Sequence, residues 1–137
     1  MKMVPDTKQS LVLRTDFSND AVWESLCAAI QEPVGEFRAY VDFINDREFE
    51  GVTSDTLLQL ISKNSFRRFV FIVDKEAISN PEHPILIVDL CDEPGRTFRV
   101  IPSATWNVEN NLSIGNMDFF EFAGAADEDG ILRGFRE

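Results

Sequence analysis

The apolar positions of this chain fall into short runs separated by polar turns, and the runs differ in period. Leu11-Val12-Leu13-Arg14-Thr15 is a compact apolar start to a strand. After it, Ser18, Asn19 and Asp20 offer side-chain oxygens for a helix N-cap. Val22, Leu26 and Ile30 then recur every four residues, with Trp23 and Cys27 beside them, which predicts a helix of about three turns with one apolar face. Pro33 and Gly35 end it. From Phe37 to Ile44 the period changes to two, predicting a second strand. Thr53 or Ser54 caps a second helix carrying Leu57, Leu58, Leu60 and Ile61.

The runs Phe69–Val73 and Ile85–Val88 are unbroken, the pattern of strands covered on both faces. Between them, Asp74 to Pro84 has room for a short helical turn and is marginal for a full crossover. Glu93-Pro94-Gly95-Arg96 places proline and glycine at the centre of a type II turn, so Thr97–Ile101 is expected to pair antiparallel with the preceding strand. Pro102-Ser103 starts a helix through Ala104, Thr105 and Trp106. Asn116 caps a last one whose apolar face is Phe119, Phe122, Ala123 and Ala126, with Gly130 as its stop.

Alternation in the first half predicts a parallel α/β core with right-handed crossovers. The expected architecture is α/β: a mixed, mostly parallel sheet of about five strands, helices on both faces and a C-terminal helical segment. Residues 1–137 read as a single globular domain, with 1–7 as a loose tail. A thioredoxin-like fold has a similar element order, but the chain has no Cys-x-x-Cys motif to carry redox chemistry of that kind.

Composition narrows the function. With 44% hydrophobic residues and twelve phenylalanines, the chain can bury a real core. Its formal net charge of -11 repels phosphate backbones and anionic headgroups, so neither nucleic acid nor a membrane is an expected partner. The same charge steers a basic protein partner or divalent cations, though solubility alone explains it as well. No apolar run precedes the first strand and none approaches the ~20 residues of a membrane helix, which predicts a cytoplasmic protein with Cys27 and Cys91 reduced.

Candidate chemistry is concentrated in acids. The strands run into Asp16, Asp46, Asp74 and Asp89, and open α/β sheets bind ligands outside the carboxyl ends of their strands. If the first three strands are parallel, Asp16, Asp46 and Asp74 share one edge and could take Mg²⁺ or Ca²⁺. Asp89 joins them only if its strand is parallel too. Against a shared site, aspartate is also the ordinary residue of caps and turns.

A second candidate surface is the polar stretch holding Trp106, Glu109, Asn110, Asn111 and Asp118, which suits a polar ligand or a protein interface. Arg14 and Arg99 could hold a phosphate or carboxylate. Asp127-Glu128-Asp129-Gly130 suggests a calcium loop, but aligning Gly130 with the invariant glycine puts Ala125 and Arg136 at ligand positions that must be acidic, so the match fails. His83 has no nearby nucleophile motif, two cysteines and one histidine make a poor zinc set, and no glycine-rich phosphate loop is present. No cofactor is expected.

Three segments resemble a family catalogued as a domain of unknown function. They are Leu11-Val12-Leu13-Arg14-Thr15-Asp16-Phe17, the stretch from Asp89-Leu90 through Asp92-Glu93-Pro94-Gly95-Arg96 to Phe98-Arg99, and Val108-Glu109-Asn110-Asn111-Leu112-Ser113-Ile114 with Asn116-Met117-Asp118-Phe119. The family's members are small, acidic and mainly bacterial. The resemblance implies a stand-alone domain over nearly the whole chain and carries over no catalytic residue.

Two functions stay open. One is a non-enzymatic protein-interaction module, for which an immunity or antitoxin-like role is one version. The other is a small-molecule or divalent-metal enzyme using the strand-end carboxylates.

Overall fold

The computed structural model describes residues 2–135. Its core is one six-stranded sheet in the order β2-β1-β3-β4-β5-β6. The strands are β1 (Ser10–Arg14), β2 (Val41–Ile44), β3 (Phe69–Val73), β4 (Ile85–Asp89), β5 (Thr97–Val100) and β6 (Ile131–Leu132). The helices are α1 (Asp20–Gln31), α2 (Ser54–Leu60), α3 (Lys75–Ser79), α4 (Thr105–Ser113) and α5 (Phe119–Ala125).

β1 pairs in parallel with both β2 and β3, as the alternation predicts. β4 runs antiparallel to β3 and to β5, and β5 and β6 are parallel. The reversal at β4 has a local cause. Only residues 74–84 separate β3 from β4, with the five-residue α3 among them, which is at the lower limit of what a parallel crossover needs. The chain instead turns back through Asn80–His83, where His83 N–H donates to the Asn80 carbonyl and His83 takes a φ of 50°. At the other end of β4, Arg96 N–H closes on Glu93 O at 2.9 Å with Gly95 at φ 95°, the type II turn that Pro94-Gly95 predicts.

Because side chains alternate along a strand, each central strand feeds two cores. Phe69, Phe71 and Val73 of β3 face α1, α4 and α5, where Trp23, Leu26, Ile30, Val108, Leu112, Phe119 and Phe122 meet them. Val70 and Ile72 face the other way with Leu11 and Leu13, against Phe49, Val52, Leu57 and Leu60 around α2. Val12 crosses to the first core. Helices thus cover both faces, and β1 and β3 are buried throughout apart from the first residue of β1.

Several expectations change in detail. The sixth strand, β6, pairs with Arg99 and Val100. The second strand begins at Val41, because Phe37 instead forms an isolated bridge with Val34 around Gly35. The helix begun near Pro102 continues through the polar asparagines to Ser113. The segment before β1 lacks helix and strand but is tied down: Val4 is buried in the α2-side core and its N–H donates to Leu60 O.

Candidate functional site

The parallel arrangement of β1, β2 and β3 brings Asp16, Asp46 and Asp74 to the same edge of the sheet. Each carboxylate is engaged locally. Asp16 accepts from the backbone and hydroxyl of Ser18, and those hydrogen bonds hold its carboxyl below the usual range. Asp46 accepts from Lys2 Nζ and Glu48 N–H, which also lower its pKa. Asp74 is the N-cap of α3, accepting from Ala77 N–H at 3.1 Å, and also accepts both Arg99 guanidinium nitrogens at 2.9 and 2.7 Å. A cleft of about 360 Å³ lies between the ends of β1 and β3, lined by Thr15, Asp16, Thr53, Asp74 and Lys75. Among the described residues, no three His, Cys, Asp or Glu side chains are grouped so as to hold a metal ion.

The two strand arginines are also held inside the fold. Arg14 is buried; it donates to Asp16 O, Asn45 Oδ1 and Asp20 Oδ1, and its guanidinium lies over Phe17. Arg99 reaches Asp74, Glu76 and Pro84 O. They anchor separate ion pairs rather than one shared anion site.

Asp89 does not join the other strand-end aspartates. β4 is antiparallel, so Asp89 lies at the opposite edge, buried, accepting from the N–H groups of Cys91, Asp92 and Glu93. Its role there is to shape the turn into β5. Asp118 lies on the same side and is the N-cap of α5, with Glu121 reaching back to its N–H in a capping box. Both line a cleft of about 340 Å³ with Asp92, Glu93, Arg96 and Phe120.

This opposite edge, at the N-terminal ends of β1 and β3, also holds the α4 candidates. Glu109 is buried on α4, and its carboxylate accepts from Tyr40 N–H at 2.8 Å, Ser10 Oγ at 2.9 Å, Asn110 Nδ2 at 3.1 Å and Ser113 Oγ. Asn110 Nδ2 also donates to Arg38 O at 2.9 Å. Asn111 is a helix-end brace, donating to Asn107 O and accepting from Asn116 Nδ2. Trp106 stacks on Phe37 with ring centroids 4.8 Å apart. Trp106, Asn110 and Ile114 recur at four-residue spacing, so they form one stripe along the outer side of α4.

Beside that stripe lies a groove that the sequence indicated only in part, through Glu109 and Asn110. One half, about 400 Å³, is lined by Tyr40, Glu109, Asn110 and Ile114; the other, about 330 Å³, by Asp6, Thr7, Phe66, Arg67 and Arg68. They share Lys8, Gln9, Ser10 and Ser113. Arg67 fastens the floor by donating to Thr7 O and Gln9 O, both at 2.7 Å, and to Asp6 at 3.1 Å. Apolar side chains stand open on the rims: Phe66 is 98% exposed, Ile114 77% and Tyr40 49%. A further hint in the sequence is an aromatic alone in the polar stretch 62–68.

The remaining candidates are structural. His83 Nδ1 is 2.8 Å from Ala77 O. In the 127–130 run, Asp127 and Asp129 ion-pair with Arg133, which also binds Glu82, so these carboxylates are gathered around one guanidinium. Arg136, the last position of the failed calcium-loop alignment, lies outside the described residues.

Among curated proteins, no sequence matches the chain. A family model does match, over residues 9–135, and those residues include both edges of the sheet and the whole of α4. The chain therefore belongs to the family described as Domain of unknown function (DUF6924).

Proposed function

We propose that this protein is a non-enzymatic interaction module whose binding surface is the edge formed by β1, the segment before β2, the 62–68 loop and the outer stripe of α4. One observation carries this reading: Phe37, Tyr40, Phe66 and Ile114 are all exposed there, next to the partly buried Trp106. Aromatic side chains are enriched in interface cores, where one ring displaces much water at low conformational cost. Phe66, 98% exposed, gains nothing from burial in the isolated chain, and it is the grouping of several such side chains on one surface that supports an interaction site. An immunity or antitoxin-like role is one version of this reading, and a cytoplasmic setting suits the free thiols of Cys27 and Cys91.

The test is a comparison of wild type with Phe66→Ser and Ile114→Ser variants in capture from host extract. A protein retained by wild type and lost from both variants, then reconstituted as a defined complex from purified components, is the expected result. Equal capture by all three chains removes the surface from consideration.

A second reading has its own support in the 360 Å³ cleft beside Asp16, Asp74 and Lys75, at the carboxyl ends of two parallel strands. It takes the protein as a small-molecule or divalent-metal enzyme. Thermal shift with millimolar Mg²⁺, Mn²⁺ and Ca²⁺ addresses the metal form, and an unchanged Tm with all three counts against it.

A further inference from the structure

We infer that the groove across the start of β1 receives an extended peptide segment of a partner protein that combines an apolar anchor with acidic residues. This rests on the interaction reading above and adds the chemistry of the partner.

The charge of the groove is opposite in sign to that of the chain. Three cations line it: Lys8, Arg67 and Arg68. Two acids do so, and both are already engaged, Asp6 with Arg67 and Glu109 under its four hydrogen bonds. Among the described residues, Lys8, Arg68 and the neighbouring Arg38 have no carboxylate within ion-pairing distance; Arg38 lies over the Tyr40 ring at 4.9 Å. Lys63 adds a fourth exposed cation on the loop that carries Phe66.

The net charge of -11 does not cancel this locally. Asp16, Asp46 and Asp74 are a strand length away, about 16 Å for five residues at roughly 3.3 Å each, beyond the Debye length of about 8 Å at physiological salt. Nearer acids flank the groove on both sides: Asp42, opposite Leu11 on β2, and Glu36 before Phe37 on one side, and the acids at the β4 side on the other, where Asp89 is buried under three N–H donors and Asp118 caps α5. Asp92, which is exposed, marks the border of the cationic region.

The shape suits a chain rather than a compact ligand. The two halves adjoin at Lys8–Ser10 and Ser113, and the floor is held by Arg67 and Glu109 rather than left mobile. Phe66 lines one half together with Arg67 and Arg68, Tyr40 and Ile114 line the other, and Lys8 lines both. A peptide lying across it would place an apolar side chain against either rim and carboxylates against Lys8 and Arg68.

The test is to pan a phage-displayed library of random dodecapeptides against the full chain, then to measure enriched sequences by fluorescence polarisation. The expected result is enrichment of peptides in which Asp or Glu flanks Leu, Phe or Trp. Lys8→Glu and Arg68→Glu should each weaken them at least fivefold, and Phe66→Ser likewise, with unchanged urea midpoints showing intact folds. Enrichment of basic or uncharged peptides, or no enrichment, overturns the acidic assignment. Binding that is insensitive to charge reversal does so too. Sedimentation at high protein concentration covers the remaining occupant: a dimer lost in Phe66→Ser would assign the groove to a second copy and refute the peptide. If the acidic preference fails while host capture still depends on Phe66 and Ile114, only this inference falls and the interaction module stands.

Discussion

The carboxylate of Glu109 accepts a hydrogen bond from the backbone N–H of Tyr40 at 2.8 Å, joining positions 69 residues apart. The same group holds Ser10 at the start of β1, so one buried side chain ties α4 to the ends of two neighbouring strand segments. It sets the wall between the apolar stripe of α4 and the groove beside it. Removing it should strip the part-buried Tyr40 N–H and the Ser10 and Ser113 hydroxyls of their shared acceptor. Glu109→Ala is expected to cost about 2–4 kcal/mol, and Glu109→Gln, which keeps an acceptor, about 1–2 kcal/mol. Urea unfolding measures both; a difference below the error of the midpoint would show that the network is not a clamp.

Asp74 has two structural duties, capping α3 and pairing with Arg99. Asp74→Asn retains the cap and loses the ionic half of the pair, for an expected loss of about 1–2 kcal/mol, while Asp74→Ala loses both and should cost about 3 kcal/mol. If Asp74 instead served a ligand, Asp74→Asn would leave stability unchanged. The two midpoints, measured side by side, separate these cases.

Stability should fall in acid through a defined set of carboxylates. Asp16, Asp46, Glu82 and Asp129 all have folded pKa values below their ordinary ones, through hydrogen bonds from Ser18, from Lys2 and, for the last two, from Arg133. A group depressed in the folded state takes up its proton first in the unfolded chain. Its contribution is therefore present above the unfolded carboxylate range, about pH 4, and is lost as pH falls through the folded value. The urea midpoint should be flat from pH 7 to about 5 and decline below it. Arg133→Met should make the decline shallower, by releasing the shifts of Glu82 and Asp129.

The two thiols should react at different rates. Cys27 lies half-buried on α1, and burial pushes its pKa up to about 11, so little thiolate forms near pH 8. Cys91 is exposed. A disulfide-exchange reagent at pH 8 should therefore titrate one thiol promptly and the second only with denaturant. Two equally fast thiols would mean that α1 opens more readily than its packing against β1 and β3 implies.

Much of the fold was legible in the pattern of side chains. The apolar runs of β1, β3, β4 and β5 are long enough to stand out, and Pro94-Gly95 encodes its own turn through a residue that tolerates positive φ. β6 left no pattern, because Ile131–Leu132 is only two residues and owes its strand state to pairing with Arg99 and Val100. The direction of β4 was not written in its own run, which would suit either orientation; the short 74–84 connection decides it. That reversal is why Asp89 parted from Asp16, Asp46 and Asp74.

The sequence by itself determined the class of fold, the parallel start of the sheet and the common edge of three aspartates, since periodicity and turn chemistry act over a few neighbouring residues. The turn and cap contacts of those aspartates, from Ser18 and Ala77, are equally short-range; their partners Lys2 and Arg99 were decided by tertiary structure. Beyond Glu109 and Asn110, the groove was decided there. Lys8, Tyr40, Phe66, Arg68 and Ile114 are scattered along the chain, and only the strand order that sets β1 between β2 and β3, with α4 fastened by Glu109, brings them to one surface.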